Sequence, residues 1–107
     1  MLEKKVINGG IILVKYFLER DVEYMFGIPS GQLLKMYDAV YRWGKEQGNK
    51  TIMFHYEQAA AHAADAYARA TNNRGGCFGI VGPGAIHLVP GIRAAWRDNI
   101  HVIAIVP

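Results

Sequence analysis

With a single cysteine among 107 residues, the chain cannot close an internal disulfide. No Cys/His spacing resembles a zinc site, so no metal ligand is expected within these residues. A reducing setting follows, and with it a cytoplasmic location. The start, Met1-Leu2-Glu3-Lys4-Lys5, leads into an amphipathic segment and lacks the apolar run and cleavage site of a secretion signal. The longest apolar run, 102–106, is far too short to span a bilayer, so no membrane partner is expected. A formal charge of +3 is scattered along the sequence. Without a basic run or a stripe of aromatic and basic residues, nucleic acid is not an expected partner either. No internal repeat, low-complexity segment or linker marks a second domain.

What the chain has is apolar content: 51% hydrophobic and 20% charged residues, the composition of a folded globule. Asn8 can cap a helix with Leu13, Val14, Phe17 and Leu18 on one face, ending near Asp21. A strand over 22–26 is predicted next. The turn Gly27-Ile28-Pro29-Ser30-Gly31 opens a second helix marked by Leu33, Leu34, Tyr37, Val40 and Tyr41, which Gly44 or Gly48 closes. After a strand over 51–56, the alanine-rich run 57–71 is the best helix former in the chain, and 72–76 is a stop. A strand over 77–81, a helix running from the turn Gly82-Pro83-Gly84 through Trp96, and a strand over 101–106 complete the pattern. Short apolar strands separated by helices require a parallel sheet covered on both faces, an α/β fold of three layers, α/β/α. Ligands of such sheets sit beyond the carboxyl ends of the strands, which places 27–31, 56–58 and 82–84 at one rim.

Each rim segment has two readings. The glycines of 27–31 and 82–84 permit anion binding or close approach to a ligand, or simply tight turns. They fit neither the phosphate-binding nor the dinucleotide-binding glycine pattern. Glu57, where an apolar strand gives way to a helix, is either a carboxylate favoured by the helix terminus or a group that shares a proton with a ligand covering it.

Three strings break this symmetry: 26–31 (Phe-Gly-Ile-Pro-Ser-Gly), 57–71 with its Glu-Gln and Ala-Asp-Ala-Tyr-Ala-Arg, and 82–85 (Gly-Pro-Gly-Ala). In order and spacing they resemble the N-terminal pyrimidine-binding domain of thiamine diphosphate-dependent enzymes of the acetolactate synthase type, over nearly the whole chain. The resemblance implies that Glu57 bonds the aminopyrimidine ring and favours the tautomer that takes the thiazolium proton. Ile28, Pro29, Gly82, Pro83 and Gly84 would line the cofactor; Ser30, Gly31, Gln32 and His87 would lie near substrate. The implied reaction decarboxylates a 2-keto acid and joins the product to a second carbonyl. Glycine at the position of Gly31 is what acetolactate synthases have, where simple pyruvate decarboxylases have an acid. Three departures bear on substrate: Tyr56 where His is usual, Ala66 for a common Gly, and Ala85-Ile86-His87 where Ala-Thr-Asn is typical.

The family also implies what must come from elsewhere. Diphosphate and Mg2+ are held by a separate domain carrying Gly-Asp-Gly, usually on a partner subunit, and no Gly-Asp-Gly occurs here. The parent is thus expected to be a homodimer or homotetramer, and 1–107 a partial pyrimidine-binding domain, truncated at its C-terminus and inactive alone. The runner-up readings are a 2-keto acid decarboxylase or 2-hydroxyacyl thioester lyase on the same cofactor, or a noncatalytic α/β binding module. Of the remaining residues, Asp65 and Arg69 read as a solvated or interface ion pair, His62 as a subunit contact, and Trp43, Trp96, Tyr37 and Tyr41 as core first and interface anchors second.

Overall fold

The computed structural model describes residues 7–107; the N-terminal stretch before Ile7 lies outside the described residues. Asn8 does cap the first helix, its side chain accepting the Ile11 N–H at 3.1 Å, and α1 runs Gly9–Glu19. The N–H of Val22 still returns to the Phe17 carbonyl (2.9 Å), which is why strand β1 begins two residues later than predicted, at Tyr24–Gly27. The single helix expected next is a composite: a 3-10 turn Gly31–Leu33, helix α2 Leu34–Ala39, a wide π segment Val40–Gly44 and a second 3-10 turn Lys45–Gln47. Gly48, at φ 99°, closes it.

Strand β2 is Lys50–Met53, and the Phe54 N–H makes the last bond to this edge of β1, at the Gly27 carbonyl (2.8 Å). Residues 54–56, predicted as strand, leave the sheet to enter helix α3, Glu57–Thr71, which has the predicted bounds and ends on Asn72 at φ 60°. Strand β3, Gly75–Phe78, corrects the reading of Gly75 and Gly76 as loop. They are buried strand residues, because a side chain on Gly75 would run into the Ala64 carbonyl of α3. The fourth helix is two, α4 Pro83–His87 and α5 Val89–Arg97, since Pro90 has no N–H to give the preceding turn. Strand β4 is Val102–Ile105.

All three pairings are parallel, in the order β2-β1-β3-β4. Side-chain alternation splits the core into two faces. Met25 and Phe78 point to one, with Phe17 of α1, Leu33 and Met36; Ile103 and Ile105 join them. Phe26 and Cys77 point to the other, with Ala60, Ala61 and Ala64 of α3 and Leu88. This is the predicted three-layer α/β/α arrangement with a parallel sheet. Burial of rings such as Phe17 and Phe78 stabilises it by about 1.5–3 kcal/mol each. No helix among the described residues is long and apolar enough to cross a membrane.

The aromatic assignments need correction. Trp96 is 70% and Tyr41 68% exposed, so neither is core. Trp96 stands on the outer side of α5 under the Arg93 guanidinium, and Tyr41 under Lys45. Tyr37 and Trp43 are half-buried, Tyr37 edge-on to Phe78 and Trp43 against the α1–α2 contact. The Asp65–Arg69 pair is no free surface pair. Asp65 is buried, and Arg69 reaches on to Asp98 beyond α5 at 2.9 Å.

Two outcomes follow from this packing. A methyl on Gly91 would collide with the Ala61 side chain and come within 2.6 Å of its carbonyl carbon, so Gly91→Ala is expected to cost about 1–3 kcal/mol in urea unfolding. Gly9→Ala, whose Cβ meets nothing within 4 Å, is the control and is expected to change stability by less than about 0.5 kcal/mol. Burial also pushes the Cys77 thiol from 9.0 up to about 12. The unfolded chain then loses this proton first, so stability is full below about pH 9 and falls towards pH 12, with a slope of at most about 1.4 kcal/mol per pH unit for this group. Tyr37, raised by burial to about 12, adds in the same direction above pH 10. A Cys77→Ala variant is expected to lose the part of the decline that begins near pH 9.

Candidate functional site

The two central strands, β1 and β3, send the chain in opposite directions. The connection through α2 leads to β2 on one side, and that through α4 and α5 to β4 on the other. Between the diverging loops a parallel sheet leaves a crevice at its carboxyl edge. The strands close tightly beneath it, for a side chain on Gly27 would meet the Phe78 ring at 2.6 Å.

Glu57 enters this crevice as the first residue of α3. Tyr56 before it is extended (φ −154°, ψ 130°) and gives the helix no side-chain cap, so the only acid of the first turn is Glu57 itself. The positive end of the helix favours a carboxylate there. Only 11% of the side chain is exposed. It lies between two glycines: a Cβ on Gly79 would stand 3.2 Å from Glu57 Cγ, and one on Gly84 would stand 3.0 Å from Oε2. A side chain at either position would crowd Glu57. Oε1 is paired with His87 Nδ1 at 3.1 Å, while Oε2 takes no hydrogen bond among the described residues. The His87 ring leans on Tyr56, centroids 5.1 Å apart, and the Tyr56 hydroxyl donates to Gln58 Oε1 at 3.3 Å.

The other sequence-derived candidates line the same edge. After β1 come Ile28, half-buried, and Pro29, exposed. Ser30 follows with its Oγ enclosed and unpartnered, and then Gly31 and Gln32, both exposed, before Leu33 anchors the loop in the core. A Cβ at Gly31 would meet nothing within 4 Å. After β3, Ile80 and Val81 are partly exposed at the rim. Gly82 sits at φ 76°, ψ −125°, a conformation open to glycine, and Pro83 starts α4. The structure thus brings Glu57, Gly84 and His87 into contact, and sets 28–32 on the neighbouring loop of the same edge. It adds two residues that sequence reasoning missed, Gly79 and the packing role of Tyr56. For Gly79 the signal was a glycine directly after a strand, three residues before the Gly82-Pro83-Gly84 turn.

A buried carboxylate with one oxygen free, on a rim of Ile28, Ile80 and Val81, suits a flat heterocycle that has an apolar face and a ring nitrogen to bond. The donor set therefore fits an aminopyrimidine. No group of three His, Cys, Asp or Glu side chains able to hold a metal ion is found among the described residues.

Comparison with known proteins shows the family. Residues 7–107 match the family described as thiamine pyrophosphate enzyme, N-terminal TPP binding domain. The chain is 45% identical to the acetolactate synthase large subunit of Cyanidium caldarium over 92% of its own length and 17% of that protein's. Against the large subunit of Porphyra purpurea it is 40% identical over 98% of the chain and 18% of the relative. Against that of Parasynechococcus marenigrum it is 43% identical over 94% and 16%. The chain therefore spans less than a fifth of the length of the relatives it matches.

Proposed function

The chain belongs to the thiamine pyrophosphate enzyme N-terminal TPP binding domain family, and from that membership we propose that it supplies the pyrimidine side of the cofactor site in an acetolactate synthase-like carboligase. The observation that carries the reading is Glu57, confined between Gly79 and Gly84 with Oε2 unbonded at the crevice. Bound thiamine diphosphate supplies the electron sink for decarboxylating a 2-keto acid and joining the product to a second carbonyl. Glu57 holds or releases a proton at the ring nitrogen it faces. Ile28, Pro29, Gly82, Pro83 and Gly84 line the ring, and the apolar rim keeps water from the shared proton. Ser30, Gly31, Gln32 and His87 border the space for substrate, where the missing side chain of Gly31 leaves room for the acceptor.

The diphosphate and Mg2+ fall to another domain. We assign that domain to a partner subunit of a homodimer or homotetramer acting in the cytoplasm. A 2-keto acid decarboxylase or 2-hydroxyacyl thioester lyase would use Glu57 in the same way and differ in products. A noncatalytic module would not use it at all.

Two experiments on the full-length protein separate these readings. Glu57→Gln is expected to slow exchange of the bound cofactor's thiazolium proton at least 100-fold, about 2.7 kcal/mol of barrier, with the fold unchanged by circular dichroism. Exchange within threefold of wild type would remove Glu57 from the chemistry. Gly31→Asp, whose Cβ meets nothing within 4 Å among the described residues, is expected to lower the ratio of acetolactate to acetaldehyde formed from pyruvate. An unchanged ratio would count against the carboligase role of this position.

A further inference from the structure

His87 is the one side chain among the described residues bonded to Glu57. We propose that His87 is a positioning residue for Glu57: its Nδ1–H holds Oε1, leaving Oε2 as the oxygen that meets the cofactor's ring nitrogen. The inference rests on the role given to Glu57 above and adds what selects the working oxygen.

A carboxylate at the end of a glutamate turns about a broad, soft torsion, so its two oxygens interchange unless something distinguishes them. Gly79 and Gly84 confine the group in space, but glycine offers no side chain to tell one oxygen from the other. No other side chain among the described residues bonds to either oxygen. Gln58 Oε1 accepts from the Tyr56 hydroxyl at 3.3 Å, and Tyr56 provides no helix cap. Among the described residues only the imidazole makes the distinction, at 3.1 Å from Oε1.

His87 is itself held in place. It ends the five-residue α4, and the next residue, Leu88, is fully buried against α3 in the core. The ring leans on Tyr56 at 60°. Tyr56 is the residue immediately before Glu57, so the brace and the group it serves move together. A neutral histidine can donate to a carboxylate through Nδ1 only in the tautomer that carries its proton there. The arrangement therefore requires Nδ1–H, with Nε2 turned towards the partly open side; 42% of the His87 side chain is exposed.

The test uses the full-length protein and reads the tautomer and the chemistry separately. In the cofactor-free protein labelled with 15N-histidine, at a pH where the imidazoles are neutral, long-range proton–nitrogen spectra are expected to show His87 protonated at Nδ1. The resonance is assigned by its loss in His87→Asn. Protonation at Nε2 instead would overturn the proposal whatever the activity. With thiamine diphosphate and magnesium bound, His87→Leu is expected to slow thiazolium proton exchange at least tenfold, while the cofactor dissociation constant stays within threefold of wild type. His87→Asn, whose amide can donate to the same oxygen, is expected to recover most of that loss. Wild-type exchange in His87→Leu beside slow exchange in Glu57→Gln would refute the role of His87 and leave that of Glu57 standing. Equal loss in the Leu and Asn variants would also refute it, since a bulk packing defect is not repaired by a hydrogen-bond donor.

Discussion

Close approach of α3 to its neighbours, backbone nearly against backbone, is the constraint on which the rest of the molecule depends. Gly75 of β3 lies against the Ala64 carbonyl, and Gly91 of α5 against Ala61. Every one of these contacts needs a residue with almost no side chain on each side. Alanine serves twice here, as the strongest helix former and as the smallest residue that still covers a sheet. Where α3 begins is then set by packing along its whole length, and its first residue is Glu57. The salt link from buried Asp65 through the part-exposed Arg69 to Asp98 ties the same helix to the far end of α5.

The parts of this architecture that could be read from the sequence were those governed by local rules. The Asn8 cap, the full extent of α3 and the alternation of helix with apolar strand follow from residue type and spacing alone. Misreadings arose where a distant contact decided the outcome. Gly75 and Gly76 have the composition of a loop, and only the presence of Ala64 across the layer makes them strand. Trp96 and Tyr41 have the spacing of core residues, yet the faces they occupy are covered by no other element among the described residues. Pro90 is visible in the sequence, but its effect depends on the buried Leu88 anchoring the chain just before it.

The candidate site was legible to a different degree. Glu57 and the two glycine loops could be placed at one rim from the order of strands. That Gly79 and Gly84 form the two walls beside the carboxylate could not, because it depends on how closely the β3–α4 loop folds back over the start of α3. His87 drew attention as a departure from a common pattern, and its contact with Glu57 appears only once α4 is seen to stop after a single turn.

That stop has a consequence for how the rim is coupled to the core. α4 is joined to α5 through a break, so a change of side chain or tilt within Pro83–His87 is not carried as a rigid lever into the packed surface of α5. The segment is mechanically separate: Ile86 on its outer side is 67% exposed, while the alanine and glycine contacts below it hold the fold. Movement at the rim and close packing in the core are thus separated by one proline.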